Sequence, residues 1–357
     1  MMPLTYLECR AQFHHAAIGA GARLSGHHVD ALGPHGEQLT IDVAVVGEPL
    51  ARHVLMVWSG VHGVEGFAGS MLQRELLHRL TTSPPARGVA VVLVHAVNPY
   101  GMAWWRRQNE SNVDLNRNWN RDQIAPERNA GYDELHHLLC PTGAEVPTPE
   151  SLLVALGEVI TARGIAWVRS AVTAGQYHHA DGLYFGGDRT ERSTQVIETF
   201  SNTHLDAAER VVIIDLHTGH GARGTYTLLS DAPLGSPQDR WLRANFDASR
   251  VETTVDNPDA TTPPKRGQLA AGLASLRSSR EHHAITFELG TVANTRMIVA
   301  ERAEHWAHRY GKVDDAGVRA ARLEHRVCSA PDDPQWERTA CAHGRTVIDA
   351  ALELISS

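Results

Sequence analysis

The sequence predicts an α/β fold, a single domain with a central mixed, mostly parallel β-sheet flanked by helices. Three observations lead there. Apolar runs of strand length alternate with stretches of helical spacing. A strand-helix-strand unit runs from His53 to Val94, and its crossover connection implies parallel strands. The composition, 42% hydrophobic and 21% charged, is that of a soluble globular chain. At 357 residues the chain is long for one domain, but α/β folds with a large sheet reach this size.

The elements follow in order. Leu4 to Leu24 has helical spacing of apolar residues, and Gln38 to Val46 alternates as a strand does. His53 to Trp58 reads as a buried strand. A helix from Gly66 to about Leu80 follows, with Leu72, Leu76, Leu77 and Leu80 as its apolar stripe. Pro84-Pro85 and Gly88 break the chain before a second buried strand, Val89 to Val94. Asn98 to Gln123 is polar, aromatic and rich in Asn and Arg, which predicts a long functional loop region. Helices are expected from Tyr132 to about Ala174, with an interruption near Pro141 to Thr148, and again from Arg189 to Thr203. Arg210 to Leu216 is a third apolar strand and Thr225 to Leu229 a fourth. A helix near Pro237 to Phe246, a polar loop from Thr253 to Arg266 and a strand from Ala284 to Leu289 come next. The remainder, Thr295 to Ile355, reads as helix with breaks near Gly311 and Pro331 to Pro334. No repeat, low-complexity segment or linker divides residues 1–357, so one domain is the simplest reading.

Charge and cysteine usage narrow the function classes. A net charge of −8 without a basic stripe argues against a nucleic-acid partner. Cys9, Cys140, Cys328 and Cys341 are scattered, with no close pair of the zinc-knuckle or redox kind, and read as reduced thiols. The first residues carry Glu8, Arg10 and two histidines where a signal peptide needs an unbroken apolar run, and no run approaches a membrane span. The expectation is therefore a cytoplasmic protein with no membrane partner.

The chemistry concentrates at predicted strand ends, where open α/β sheets bind ligands. His62 and Glu65 follow the first buried strand, in Ser59-Gly60-Val61-His62-Gly63-Val64-Glu65. His217 ends the third in Ile213-Ile214-Asp215-Leu216-His217, and Glu288 ends the last in Thr286-Phe287-Glu288-Leu289-Gly290. A His-x-x-Glu pair alone is a chance-level match in a chain with 22 histidines. Two histidines and two glutamates at three strand ends are not. Catalytic zinc takes three protein ligands and keeps a position open. His62, Glu65 and His217 supply that set, one ion per chain, and Glu288 is left to act as a base.

The segment Val113-Asp114-Leu115-Asn116-Arg117-Asn118-Trp119 makes a resemblance specific. With the His-x-x-Glu, the strand-terminal His217 and Thr286-Phe287-Glu288-Leu289, it resembles the zinc carboxypeptidases, the carboxypeptidase A-like superfamily, in motif order. The resemblance implies the zinc carboxypeptidase-like fold, with a core of about 13–291 and a helical extension of about 295–357. It implies zinc on His62, Glu65 and His217, with Glu288 as the general base that activates the attacking water. It implies that Asp114 orients the first zinc histidine and that Asn116 and Arg117 hold the substrate carboxylate, which suits a guanidinium fork. An arginine for the tetrahedral oxyanion follows a tryptophan in the family, so Trp105-Arg106 is the nearest match and Arg107 its rival.

Two branches of that superfamily remain open. The glycines around His62 are similar to those of the aspartoacylase and succinylglutamate desuccinylase type, whereas Asn98-Pro99-Tyr100-Gly101 and Gly182-Leu183-Tyr184-Phe185-Gly186-Gly187 look like an uncharacterised bacterial branch. In the latter, Gln176, Tyr177 and His178 would line the site. The family's mobile tyrosine has no convincing counterpart, Tyr226 being the only tyrosine between His217 and Glu288. His doublets such as His136-His137 and His178-His179 read as surface residues, because neighbours in sequence point apart. His220 is the histidine expected to approach the site. Pocket walls are expected from Val251 to Leu276, where Asp256, Asp259, Lys265 and Arg266 could each select charge. The expected activity is hydrolysis of an amide next to a free carboxylate, in a small peptide or an N-acyl amino acid. A catalytically silent zinc-binding protein is the rival from another class.

Overall fold

The runs rich in β-branched residues form the middle of one sheet. A computed structural model of the chain describes residues 4–123, 128–276, 280–312 and 314–357. Its strands are β1 (Arg23–Leu32), β2 (Gln38–Gly47), β3 (His53–Ser59), β4 (Val89–His95), β5 (Arg210–Thr218), β6 (Tyr226–Pro233), β7 (Val251–Val255) and β8 (Glu281–Leu289). They form an eight-stranded sheet in the order β1-β2-β4-β3-β5-β8-β6-β7. The central four strands, β4, β3, β5 and β8, are mutually parallel. Antiparallel pairs attach β2 to β4 and β6 to β8. The sheet is thus mixed and parallel at its centre, as expected. β3 and β4 are buried almost throughout, which explains why both read as unbroken apolar runs.

Helices cover the sheet: α1 (Tyr6–Gly19), α2 (Gly66–Thr82), α3 (Pro99–Trp104), α4 (Ala130–Leu139), α5 (Pro149–Arg163), α6 (Ile165–Thr173), α7 (Arg192–His204), α8 (Pro237–Asn245), α9 (Leu269–Ser275), α10 (Asn294–Tyr310), α11 (Ala316–Ser329) and α12 (Pro334–Ser356). The main core lies between the sheet and α1, α2, α7, α9 and α12. A satellite core, with Tyr132, Leu139, Leu152, Leu156, Val168 and Val172, joins α4, α5 and α6. Among the described residues no single helix is long and apolar enough to cross a membrane.

Three expectations are corrected. The first helix stops at Gly19 rather than Leu24, because Gly21 turns the chain at φ 67° and Arg23 enters β1. β1 escaped notice because it is an edge strand with a largely exposed face, so it lacks an apolar run. The polar stretch expected as loop from Thr253 begins inside β7, whose Thr253 and Thr254 are buried. The region 98–123 is irregular apart from α3 and short 3₁₀ turns, and it is more buried than a surface loop. Its polar side chains are bonded inside the protein: Asn118, for example, donates to the carbonyls of Gly186 and Arg189.

Candidate metal centre

The parallel register places the site. β3 lies beside β5, with Trp58 opposite Asp215, and β5 lies beside β8, with His217 opposite Glu288. The ends of these three neighbouring strands therefore converge. After β3 the chain turns through Gly60 at φ 69°. His62 is followed by Gly63, where a Cβ would fall 2.2 Å from the backbone of Gly101. A side chain there would push the ligand turn off α3. Glu65 then sits at the entry to α2.

His62 Nδ1 lies 2.8 Å from Glu65 Oε1 and 3.1 Å from His217 Nδ1, which is 3.0 Å from Glu65 Oε2. The two rings meet at 70°, and the Nδ1 atom of each faces the Glu65 carboxylate. A tetrahedral ion with bonds near 2.0–2.1 Å holds its ligand atoms about 3.3 Å apart. The observed spacings, 2.8 to 3.1 Å, fall short of that by up to half an ångström. Each far nitrogen faces a buried carboxylate: His217 Nε2 is 2.9 Å from Asp215, and His62 Nε2 is 3.3 Å from Asp114. At His217 this carboxylate–histidine pairing puts the proton on the outer nitrogen and frees the inner one for a cation. His62 Nε2 faces both Asp114 and the Arg107 guanidinium, which can only donate, so Asp114 alone does not set the His62 tautomer. Two imidazoles and a carboxylate are a donor set that zinc accepts.

Charge follows the same pattern. Burial alone would push the Glu65 carboxyl up, but His62 and His217 outweigh it and hold it well below the ordinary range. Burial likewise raises Asp114, yet Arg107, Arg117 and His62 bring it down. At His217 burial lowers the ring, and Asp215 and Glu65 overcome that and raise it. Glu65 and Asp114 are thus held as carboxylates by their partners.

Of the two arginines left open, only Arg107 reaches the site. Its guanidinium contacts Asp114 at 3.1 Å, Glu301 at 3.4 Å and His62 Nε2 at 2.7 Å, and it lies over the Tyr184 ring. Arg106, the nearer motif match, is corrected: it is fully buried outside the cleft, bonded to Glu304 and Asn112. Neighbouring residues on a non-helical stretch face opposite ways, and only one of this pair can face the ligands. Gln176 and Tyr177 are corrected as well, for neither lines the cleft. Gln176 bonds the backbone of residues 178, 179 and 183. The Tyr177 hydroxyl donates to the carbonyl of Arg117, holding that segment from behind.

A cleft of about 300 Å³ opens over the cluster. Asn116, Arg117 and Glu288 line it, as does His220. Arg117 donates to the carbonyls of Asn116 at 2.8 Å and Thr173 at 2.7 Å, while its buried Nε has no hydrogen-bond partner among the described residues. Glu288 Oε2 is similarly buried and unpartnered. From the expected wall, Thr261, Thr262, Lys265 and Gln268 do line the cleft; Asp256, Asp259 and Arg266 do not. Burial lowers the Lys265 ammonium, against the opposing charges of Asp231 and Glu288. Tyr226 is buried in β6 against Phe287 and His343.

Sequence reading missed three residues. Asp215 stands two before His217 on β5, on the same face, and that period-2 spacing is a signal that was there to use. Glu301 gave no local signal, and Tyr184 stood in a phrase that carried a resemblance but no role for its hydroxyl. They meet only in the fold, where Tyr184 donates to Glu301 at 2.5 Å beside Arg107.

Residues 3–343 match the family described as "Protein of unknown function (DUF2817)". The chain belongs to that family. No curated protein matches it in sequence. Solved structures similar to this DUF2817 member include the carboxypeptidase A from Helicoverpa armigera, at 14% identity and a TM-score of 0.46 over 95% of this chain and 74% of that one. Bovine thrombin-activatable fibrinolysis inhibitor, solved with tick carboxypeptidase inhibitor, is 11% identical with a TM-score of 0.49 over 91% and 98%. The murein-tripeptide amidase MpaA from Escherichia coli O157 is 17% identical with a TM-score of 0.38 over 82% and 93%. Likenesses this distant say nothing about metal or activity.

Proposed function

We propose that this DUF2817 protein is a zinc-dependent hydrolase of an amide bond next to a free carboxylate. The observation that carries the reading is the convergence of His62 Nδ1, Glu65 and His217 Nδ1 within 2.8 to 3.1 Å, each histidine backed by a buried aspartate. When bound, zinc supplies a Lewis acid and an acidified water. Glu288, on the strand beside His217 with one carboxylate oxygen unpartnered, takes the proton from the attacking water and returns it to the leaving amine as the C–N bond breaks. Arg107, pinned by Asp114 and Glu301, is the donor placed to meet the negative charge that develops on the carbonyl oxygen. Asn116 and the free Nε edge of Arg117 anchor the substrate carboxylate.

The core of about 13–291 and the helical extension act as one domain in this reading, because Glu301 of α10 holds Arg107. The decisive experiment replaces Glu288 by Gln. The variant should keep one zinc per chain, measured by elemental analysis, and lose on the order of a hundred- to ten-thousandfold in turnover of small amide substrates. Undiminished turnover removes Glu288 from its role. Zinc at one per chain in the unaltered protein without hydrolysis of any peptide or N-acyl amino acid would favour the silent binding protein.

A further inference from the structure

The cleft has two unlike walls. One comes from β6, β8 and the segment before α9, and is polar: Ser230, Asp231, Lys265, Thr286 and Glu288. The other comes from α5, α6 and α10 and is mainly apolar, through Leu156, Ile160, Ile165, Val168, Val172 and Ile298, with the polar Asn294 and Thr295 at the start of α10. All of these apolar side chains but Ile165 belong to the satellite core, which packs apart from the main core and turns one face to the cleft. Ile165, at the bend between α5 and α6, lines the cleft and is still 53% exposed. The apolar face thus reaches solvent at Ile165.

We propose that the substrate is an amphipathic N-acyl amino acid: its acyl group is a medium or long apolar chain lying on the α5–α6–Ile298 wall, and its amino-acid side is polar and anionic. This rests on the hydrolase reading and specifies its substrate. The scissile amide lies over the metal ligands with the two walls on either side. The carboxylate belongs to the amine-derived half. Of the cations that match it, Lys265 stands with the polar groups, and Arg117 stands where the two walls meet, its backbone against Gly267 and its guanidinium on the Thr173 carbonyl at the end of α6. The apolar wall is then left for the acyl half, and no charged partner on α5 or α10 except Glu301 intrudes on it; Glu301 is already occupied by Arg107 and Tyr184. Arg169 also lines the cleft from α6. A peptide would bring a polar backbone across the apolar face and leave its amides without partners. An acyl chain would not.

Burying one methylene is worth about 0.8 kcal/mol, or roughly fourfold in affinity. The test compares N-acetyl, N-hexanoyl and N-decanoyl glutamate as substrates of the zinc-loaded protein. In parallel, calorimetry measures binding of the matching ketones, in which a methylene replaces the amide nitrogen and turnover is impossible. The proposal expects kcat/KM and affinity to climb by about two- to fourfold per methylene across the series. It expects Ile160→Ser and Ile298→Ser each to reduce that slope. A flat or falling dependence on acyl length in the binding series overturns the proposal. No hydrolysis together with a rising binding series would sink the hydrolase reading and leave the apolar subsite standing.

Discussion

Two clusters of histidine and carboxylate in this protein look alike by distance and differ in everything else. His62, Glu65 and His217 are buried at strand ends, with rings at 70° and each outer nitrogen held by an aspartate. His136, Asp181 and His179 lie close together as well, between α4 and the segment after α6, but all three are half-exposed. There the rings are stacked, 4.0 Å apart and only 19° from parallel. A ring nitrogen's lone pair lies in the plane of its ring, so two nearly parallel, stacked rings cannot both aim at one ion. His179 Nε2 is moreover taken by Asp133 at 2.7 Å. Nearness does not make a metal site; converging lone pairs backed by a second layer of carboxylates do.

The sharpest way to break this contrast is to remove one ligand from the first cluster. His217→Ala should abolish stoichiometric zinc by elemental analysis and lower amide turnover on the order of a thousandfold or more. A variant that kept its zinc would show that the ion sits elsewhere, the second cluster being the first place to look. The outer layer should matter by less. Asp215→Asn should weaken zinc about 10- to 100-fold in a chelator competition. Asp114→Asn should do the same and also lose turnover at saturating zinc, because Asp114 holds Arg107 as well as His62. Equal turnover of the two zinc-saturated variants would contradict the role given to Arg107.

The contrast also explains what the sequence could reveal. His62, Glu65, His217 and Glu288 were legible because the strands beneath them are apolar runs that end abruptly, and register in a parallel sheet brings such ends together. The central sheet was legible for the same reason. β1 was not, being an exposed edge, and neither was Glu301, whose approach to Arg107 depends on how α10 packs against the loop region. Arg106 misled because motif position says which residues are near one another, and only the backbone says which way each one faces. The doublets, by contrast, were set aside on a sound argument about neighbours in sequence. The fold then joined one member of each, His136 and His179, which stand 43 residues apart in sequence. Their stacking still leaves them without a common target.

A smaller effect is expected at the second cluster. His179→Ala should leave zinc stoichiometry and affinity unchanged in the same competition assay. A measurable loss of a second, weaker equivalent of zinc would break the argument from ring direction and make the stacked pair a site that rearranges on binding.

The smallest effect distinguishes the second cluster as a packing feature. Burial first, and then the neighbouring charge of His179, lowers the His136 pKa, with His137 adding to this and Asp181 and Asp133 opposing it. The folded ring therefore resists a proton that the unfolded chain accepts near its ordinary value of about 6.5. Above that pH the contribution to stability is complete. As pH falls through about 6.5 toward the lower folded value, the unfolded state gains protons first and stability declines. Other buried histidines contribute to the same decline, His95 being pushed down to about 4 and His305 to about 3. The informative quantity is consequently the difference between the unaltered protein and His136→Gln. In urea titrations at about pH 7.5 and about pH 5, the variant should lose less stability on acidification, by a fraction of the roughly 1.4 kcal/mol that one full pKa unit represents. Half-exposure keeps the effect small, because water screens the ring from His179. An identical pH response would mean that His136 is as freely solvated as a surface histidine, and that its stacking on His179 does not persist in solution.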